Sequence, residues 1–354
     1  MKRHIISSIA PICALASALT APAASAQEVS FKDKPVTMII GYAPGGGTDA
    51  SGRLIAQFIG KHLPGQPTIV VRNQPGADGM TSLNYMVQQT KPDGLTITMG
   101  SSTQVDPLNY RKAQAAYDPA TFHYLGGVGR GGTVLVISNE AEKRLYDKSL
   151  PPVVMGSIGG VPRSGMQVTA WGIEYLGWNA KWVVGYRGTN DVMIALERNE
   201  IDMTSTGNMF QVSKIVETGK FKILNQSGTL ENGKLGPRPD FGDAPVFPLQ
   251  MEGKITDATA QKAFAYWLSI NSMDKWLAVI GGTPAPIVET YRAAFRKTAA
   301  DPEFANLGKK ISEDFTPMTY QDVEQLVKTL AATPQEAIGH ATALMRKQGL
   351  QVAE

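Results

Sequence analysis

The sequence predicts an α/β protein of two lobes, each a mostly parallel sheet flanked by helices, with a cleft between them. Three observations carry this reading. Extended apolar runs alternate with amphipathic helical patterns in two successive stretches of the chain, the signature of βαβ units. Glycine-rich turns follow several of the extended runs, where a strand gives way to a helix. At 354 residues the chain is also longer than a single hydrophobic core usually serves.

In the first unit the extended runs are 36–41, 68–72 and 95–100, and the helical patterns are 49–63 and 78–89. Ala50, Leu54, Phe58 and Ile59 fall on one face of the first helix, as a helix packed on a sheet requires. Pro92-Asp93-Gly94 separates the second helix from the third strand. Right-handed crossovers then make the three strands parallel. The second unit repeats the plan with strands 133–137, 153–156, 181–185 and 201–204 and helices 164–176 and 190–198. Ser164 and Gln167 stand at capping-box spacing, so that helix should begin at Ser164.

Prolines and glycines crowd residues 228–248 without periodicity, which reads as an ordered connection. The remainder reads as mainly helical, 256–272, 287–300, 320–330 and 334–348. Thr319 with Asp322, and Thr333 with Glu336 after Pro334, mark two helix starts. These helices should return to buttress the first lobe. The expected division is a signal at 1–26, lobe one at 27–130, lobe two at 131–227, and a return to lobe one at 228–354.

Met1-Lys2-Arg3-His4, a largely apolar stretch to Leu19 and Ala24-Ser25-Ala26 have the form of a secretory signal cleaved after Ala26. The only cysteine, Cys13, lies within it. The exported chain would therefore have no disulfide, no cysteine nucleophile and no zinc–cysteine site. Cleavage lowers the formal net charge from +3 to +1, because Lys2 and Arg3 leave and no acid does. A nearly neutral surface without a basic stripe argues against nucleic acid as a partner. No later run is long and apolar enough to span a bilayer.

The richest turn is Gly41-Tyr42-Ala43-Pro44-Gly45-Gly46-Gly47-Thr48-Asp49, between the first strand and first helix. A second, Asn73-Gln74-Pro75-Gly76-Ala77-Asp78-Gly79, follows the next strand. Turns of this kind can aim backbone N–H groups and the positive end of a helix dipole at one point outside the sheet, a place for an anion. Asp49 could cap its helix or hold a bridging water. Ser101, Ser102 and Thr103 occupy the position after the third strand. In the second unit the loop 156–163 is again glycine-rich, and Tyr186-Arg187-Gly188-Thr189-Asn190 is a fourth strand-to-helix turn. Arg163 and Arg187 are the cations best placed for bidentate pairing with a carboxylate. Asp202, Thr204, Ser205 and Thr206 end a strand at the cleft; the hydroxyls suit ligand oxygens, and Asp202 suits fixing a loop or meeting the ligand.

Several enzyme signatures are absent. Gly127-Val128-Gly129-Arg130-Gly131-Gly132 satisfies GxGxxG, but it runs into the extended 133–137 instead of a helix, which disfavours a dinucleotide. The first turn lacks a Gly-Lys-Ser/Thr ending, and there is no Gly-x-Ser-x-Gly elbow or paired-histidine motif. No cofactor or metal is expected. The five tryptophans suit a core, with room for one to wall the cleft.

The order Tyr42-Ala43-Pro44-Gly45-Gly46-Gly47-Thr48-Asp49, then Asn73-Gln74-Pro75-Gly76-Ala77-Asp78-Gly79, then Pro92-Asp93-Gly94-Leu95-Thr96 resembles the periplasmic solute-binding receptors of tripartite tricarboxylate transporters. The similarity continues through Tyr186-Arg187-Gly188, Ala195-Leu196, Ile201-Asp202, Gly282-Thr283-Pro284 and Asp301-Pro302-Glu303-Phe304. It implies a type II periplasmic-binding-protein fold and a monomer that closes around a small organic carboxylate, a di- or tricarboxylate or an aromatic acid, and delivers it to membrane permease subunits. It implies carboxylate contacts from Ala43, Gly45, Gly46, Thr48 and Asp49, from Gly76, Ala77, Asp78 and Gly79, and from Ser101, Ser102 and Thr103. The second lobe would add Ser164, Tyr186, Gly188 and Thr189. The sequence departs from the pattern in carrying Pro162 and Arg163 in the 156–163 loop, in the 228–248 connection and in a longer C-terminal segment.

Two other readings use the same residues. A periplasmic hydrolase or lyase acting on a small acid would need an acid/base pair such as His123 with Asp106. A receptor serving a sensor kinase would share the binding physics and differ in partner.

Overall fold

The computed structural model describes residues 29–352 except 46, 130–131, 159–161, 163, 187–188, 208, 232–233 and 312–314. The signal at 1–26 lies outside the described residues. The first stretch is β1 (Val36–Ile40), α1 (Gly47–His62), β2 (Ile69–Asn73), α2 (Met80–Gln89) and β3 (Thr96–Ser101), as the periodicity predicts, with ends displaced by a residue or two. Two short helices, α3 (Ser102–Val105) and α4 (Pro107–Tyr110), lead to β4 (His123–Gly129). β1 pairs parallel with both β2 and β3.

The second stretch is β5 (Val134–Ser138), α5 (Glu142–Tyr146), β6 (Val153–Ile158), α6 (Val168–Tyr175), β7 (Ala180–Tyr186), α7 (Thr189–Glu197), β8 (Met203–Thr206), α8 (Met209–Val216) and β9 (Phe221–Gln226). A 3₁₀ turn at Ser164–Gln167 precedes α6, so the α-helix proper starts four residues later than its capping spacing suggests. The last stretch holds a hairpin, β10 (Thr229–Glu231) with β11 (Lys234–Gly236), then α9 (Phe247–Gln250), α10 (Ala258–Ser272), β12 (Met273–Val279), α11 (Ala285–Ala299), α12 (Pro302–Ile311), β13 (Thr316–Met318), α13 (Tyr320–Ala331) and α14 (Gln335–Lys347).

Two sheets result, ordered β13-β4-β12-β3-β1-β2 and β7-β6-β8-β5-β9. Both are mixed, which corrects the expectation of mostly parallel sheets. β12 returns antiparallel between β3 and β4, and β13 is antiparallel to β4. In the second sheet β5 lies antiparallel to β8 and β9. The return segment therefore gives the first sheet a central strand, β12, and an edge strand, β13, as well as helices around it. The GxGxxG segment is also explained: Gly127 and Gly129 are strand residues of β4, and Gly127 has the Lys275 carbonyl and Val323 where a side chain would go.

The C-terminal third does not simply rejoin the first lobe at residue 228. Val246 bridges to Gln226 at the end of β9, Phe241 joins the apolar cluster of Val134 and Val136, and Phe247 packs on Trp178 at 5.8 Å. Helix α14 docks on α6 of the second lobe, where Tyr175 Oη and His340 Nε2 lie 3.0 Å apart and Gln348 donates to the Ala170 carbonyl at 2.8 Å. One apolar cluster consequently runs from Met80 and Trp276, through Phe264 and Trp267 on α10, to Trp171 and Met155 of the second lobe. Thr319 and Asp322 form the expected capping box. Thr333 does not: helix α14 begins one residue later, with Pro334 at its cap, and the Thr333 hydroxyl donates to the Thr329 carbonyl. Among the described residues no helix is long and apolar enough to cross a membrane.

Candidate functional site between the lobes

Because β1, β2 and β3 are parallel, their C-terminal ends lie on one edge of the first sheet, and the three turns that follow meet there. Tyr42 ties them together. Its hydroxyl donates to the Asp78 carbonyl at 3.0 Å and lies 2.6 Å from Ser101 Oγ. Asn73, at the end of β2, donates to the Tyr42 carbonyl at 2.8 Å. Gln104 accepts from the Ser101 N–H at 3.0 Å and donates to the Gly79 carbonyl at 2.9 Å.

Asp49 stands in the first turn of α1 with a side chain only 4 % exposed. Its carboxylate accepts from the Gly45 N–H at 2.9 Å, from Arg53 Nε at 2.9 Å and from Asn73 Nδ2 at 2.8 Å. The side chain thus reaches back to a donor ahead of the helix and braces the turn at 42–45 against α1. Burial alone would raise the Asp49 pKa, but the bonds from Arg53, Gly45 and Asn73 outweigh it and hold the group below its ordinary value. A folded-state pKa below the unfolded one stabilises the fold above the unfolded pKa and loses that effect as pH falls through the folded value. Asp49→Asn is expected to cost about 2 kcal/mol at neutral pH. The gap from wild type in urea melts should narrow as pH drops below about 4. A gap independent of pH would mean that charge plays no part in the brace.

The second turn is strained. Gly76, Ala77, Asp78 and Gly79 have φ of 141°, 46°, 55° and 87°, four consecutive residues on the positive side. Only glycine adopts this backbone readily. Ala77 and Asp78 each carry of order 1 kcal/mol of strain there, and the surroundings hold them: a Cβ on Gly79 would lie 2.6 Å from the Gln104 side chain. Gly76, Ala77 and Asp78 are exposed, and Gly79 is buried.

Asp78, Ser102 and Thr103 line a cavity of about 380 Å³ whose far wall includes Gln167 and Trp171 of the second lobe, with Tyr266 and Trp267 of α10 beside them. Its volume is in the range of small-molecule sites. Ala43, Gly45, Thr48, Asp49, Gly76, Ala77, Gly79 and Ser101 build the turns behind that edge without lining the cavity. Gly46, Arg163, Arg187 and Gly188 lie outside the described residues. Ser164 opens the 3₁₀ turn before Gln167, Thr189 opens α7, and Tyr186 ends β7. Ser205 is buried, and its Oγ lies 2.4 Å from where a Cβ on Gly165 would stand.

Asp202 does not belong with this group. It precedes β8, where its carboxylate takes Arg144 Nη2 and the Val154 N–H. At about 3.3 Å per residue this is roughly 10 Å from Ser205 along the strand. The Asp106–His123 pair is not assembled either. Asp106 Oδ1 accepts from the Leu108 N–H at 2.9 Å and from Tyr266 Oη at 2.8 Å. His123 starts β4, five residues before Val128, which is level with Ser101 across β12, so it lies at the opposite edge of the sheet, about 16 Å away. Among the described residues no group of His, Cys, Asp and Glu could hold a metal ion.

Sequence reasoning missed the walls contributed by Gln167 and Tyr266, did not single out which tryptophans wall the cleft, and missed the tying roles of Tyr42, Asn73 and Gln104. Tyr42 and Asn73 flank the glycine turns and could have been found there. Nothing local marks Tyr266 or Trp267, which reach the site only through the fold.

Two mixed sheets, strand-exit turns gathered at a seam and a cavity walled from both sides define a two-lobed solute-binding receptor. A family model for the tripartite tricarboxylate transporter family receptor matches residues 52–240, and the chain belongs to that family of periplasmic binding proteins. It is 28% identical over 300 residues to a UPF0065 protein of Bordetella pertussis, covering 81% of this chain and 83% of that one. A TctC solute-binding protein from Polaromonas superposes with a TM-score of 0.64 at 19% identity, covering 88% and 98% of the two chains. Rpa4515 of R. palustris, solved with adipate, gives 0.53 at 18% identity over 89% and 97%. These structures carry the fold, and the family and its structural neighbours are binding proteins rather than enzymes.

Proposed function

We propose that this protein is a periplasmic receptor that captures a small organic carboxylate between its lobes and delivers it to the permease subunits of a tripartite transporter. The observation that supports this most is the cavity at the seam, lined by the strand-exit residues Asp78, Ser102 and Thr103 on one side and by Gln167 and Trp171 on the other. A ligand touching both lobes makes more contacts when they are closed, so binding shifts the population toward closure. The carboxylate is held by main-chain donors and hydroxyls of the turns at 43–49, 76–79 and 101–103, completed by Tyr186 and Ser205, with Ser164 and Thr189 added from the sequence. Arg163, Arg187, Gly46 and Gly188 join that set on the sequence argument alone.

The structural neighbours with bound malate and adipate favour an acid as ligand. In this reading the chain is exported, processed after Ala26 and works as a monomer without catalysing a reaction. Lobe one takes 27–130 and lobe two 131–227, with the return segment from 228 packing on both. Calorimetry with mono-, di-, tri- and aromatic carboxylates tests it: at least one acid should bind with a stoichiometry of one. Silence across the panel from folded protein would overturn the reading, and turnover of a bound acid followed by NMR would replace it with an enzyme.

A further inference from the structure

The chamber beyond the strand-exit turns has a chemistry of its own. Among the described residues its lining carries two carboxylates, Asp78 and Asp106, against one cation, Lys112. Lys112 Nζ donates one of its three hydrogens to Asn109 Oδ1 at 2.9 Å. The neighbouring Arg111 guanidinium is turned away to the Ala331 and Thr333 carbonyls, at 3.0 and 2.9 Å. Asp106 receives both of its hydrogen bonds on Oδ1, so Oδ2 keeps its accepting capacity. The indole rings of Trp171 and Trp267 form the adjoining wall. Trp267 is 5% exposed and stacks on Phe264 at 5.3 Å, so it closes the wall by packing.

A second carboxylate of a diacid would face Asp78 and Asp106 here, with Lys112 the one cation among the described lining residues. An ammonium group would find the open oxygen of Asp106. We propose that this chamber receives an ammonium end, making the ligand a zwitterionic aminoalkanoate whose carboxylate stays at the Ser102–Thr103 mouth and whose amine reaches Asp106. The proposal rests on the carboxylate-receptor reading and narrows its ligand class. Burial raises the Asp106 pKa, against the lowering effect of the Leu108 and Tyr266 bonds and of Lys112 and Arg111. A bound cation relieves that burial cost, so the site gains from an occupant of this charge.

The test is calorimetry with three acids of equal chain length, valerate, glutarate and 5-aminovalerate, on wild type, Asp106→Asn and Lys112→Gln. Asparagine preserves the cap on α4, and Lys112 is exposed, so both variants should fold. In wild type 5-aminovalerate should bind about tenfold more tightly than either other acid, a difference of about 1.4 kcal/mol. Asp106→Asn should remove that preference by weakening 5-aminovalerate about tenfold, while Lys112→Gln should strengthen 5-aminovalerate. Tighter binding of glutarate, or a preference for 5-aminovalerate that survives Asp106→Asn, overturns the ammonium assignment and leaves the receptor standing. Silence from all three acids, together with the broader acid panel, overturns both.

Discussion

Trp276→Ala is expected to destabilise the protein by about 4 kcal/mol and to weaken ligand binding under conditions where the variant is still folded. Trp276 is fully buried at the centre of the first sheet. Its ring packs edge-on against Tyr124 at 5.5 Å and tilts on Phe122 at 6.2 Å, contacts that add to the large apolar area a tryptophan removes from water. The indole passes directly beneath Gly100, where a Cβ would come within 2.2 Å of the ring. Strand β3 can therefore cross it only with glycine at that position. The indole N–H also donates to the Ser101 carbonyl at 2.8 Å, which holds the start of the third turn where Tyr42 meets it.

Removing the ring leaves a cavity beneath the site and frees that carbonyl. Urea unfolding reads the first effect and titration of a bound acid reads the second. Trp276→Phe separates them, since it refills most of the space without restoring the hydrogen bond. It should recover more than half of the stability and less of the affinity. A loss under about 1 kcal/mol for the alanine variant would mean that the sheet does not depend on this residue.

What the sequence disclosed and what it hid follow from the range of the signals. The first three strands and two helices were legible because each has its own period and a turn at its end, from Gly41 through Asp93-Gly94. β12 was not, because Met273-Asp274-Lys275-Trp276-Leu277-Ala278-Val279 follows α10 without a breaking residue, so nothing punctuates the change from helix to strand. β4 was hidden by its own glycines, which read as loop until Phe295, Val323 and Met318 are seen filling the space beside them. The turns of the site were legible for the same local reasons. Its walls were not: Tyr266 and Trp267 stand more than 150 residues beyond Ser102 in the sequence, and only the antiparallel return of the chain brings them to it. Asp106 was noticed for its acid chemistry, but its partner proved to be Tyr266 and not His123, a pairing that no spacing rule predicts.

The largest effect is expected from ending the chain at Thr333. This removes α14 with Ile338, Leu344 and Met345, which it buries, and Leu350 just beyond, all between 1 and 7% exposed. At about 2 kcal/mol for each large side chain, the lost burial is of the same order as the whole stability of a typical domain. The helix also joins regions distant in sequence. On the second lobe Trp182 Nε1 donates to Gln348 at 3.0 Å, and His340 meets Tyr175. Leu344 and Met345 face the cavity, and on the first lobe Arg111 holds the carbonyls at the end of α13, where α14 begins. The exposed Lys347–Glu174 pair contributes little by comparison.

The shortened chain should fail to give a cooperative melt and should bind no acid. Because a chain that does not fold says nothing further about the helix, Ile338→Ala provides the graded version. It should cost about 3 kcal/mol while retaining two-state unfolding. Cooperative unfolding of the chain ending at Thr333, within a few degrees of the wild-type midpoint, would show that α14 is an ornament on the second lobe. In that case the apolar cluster running through α10 would be sufficient to hold the lobes together around the cavity.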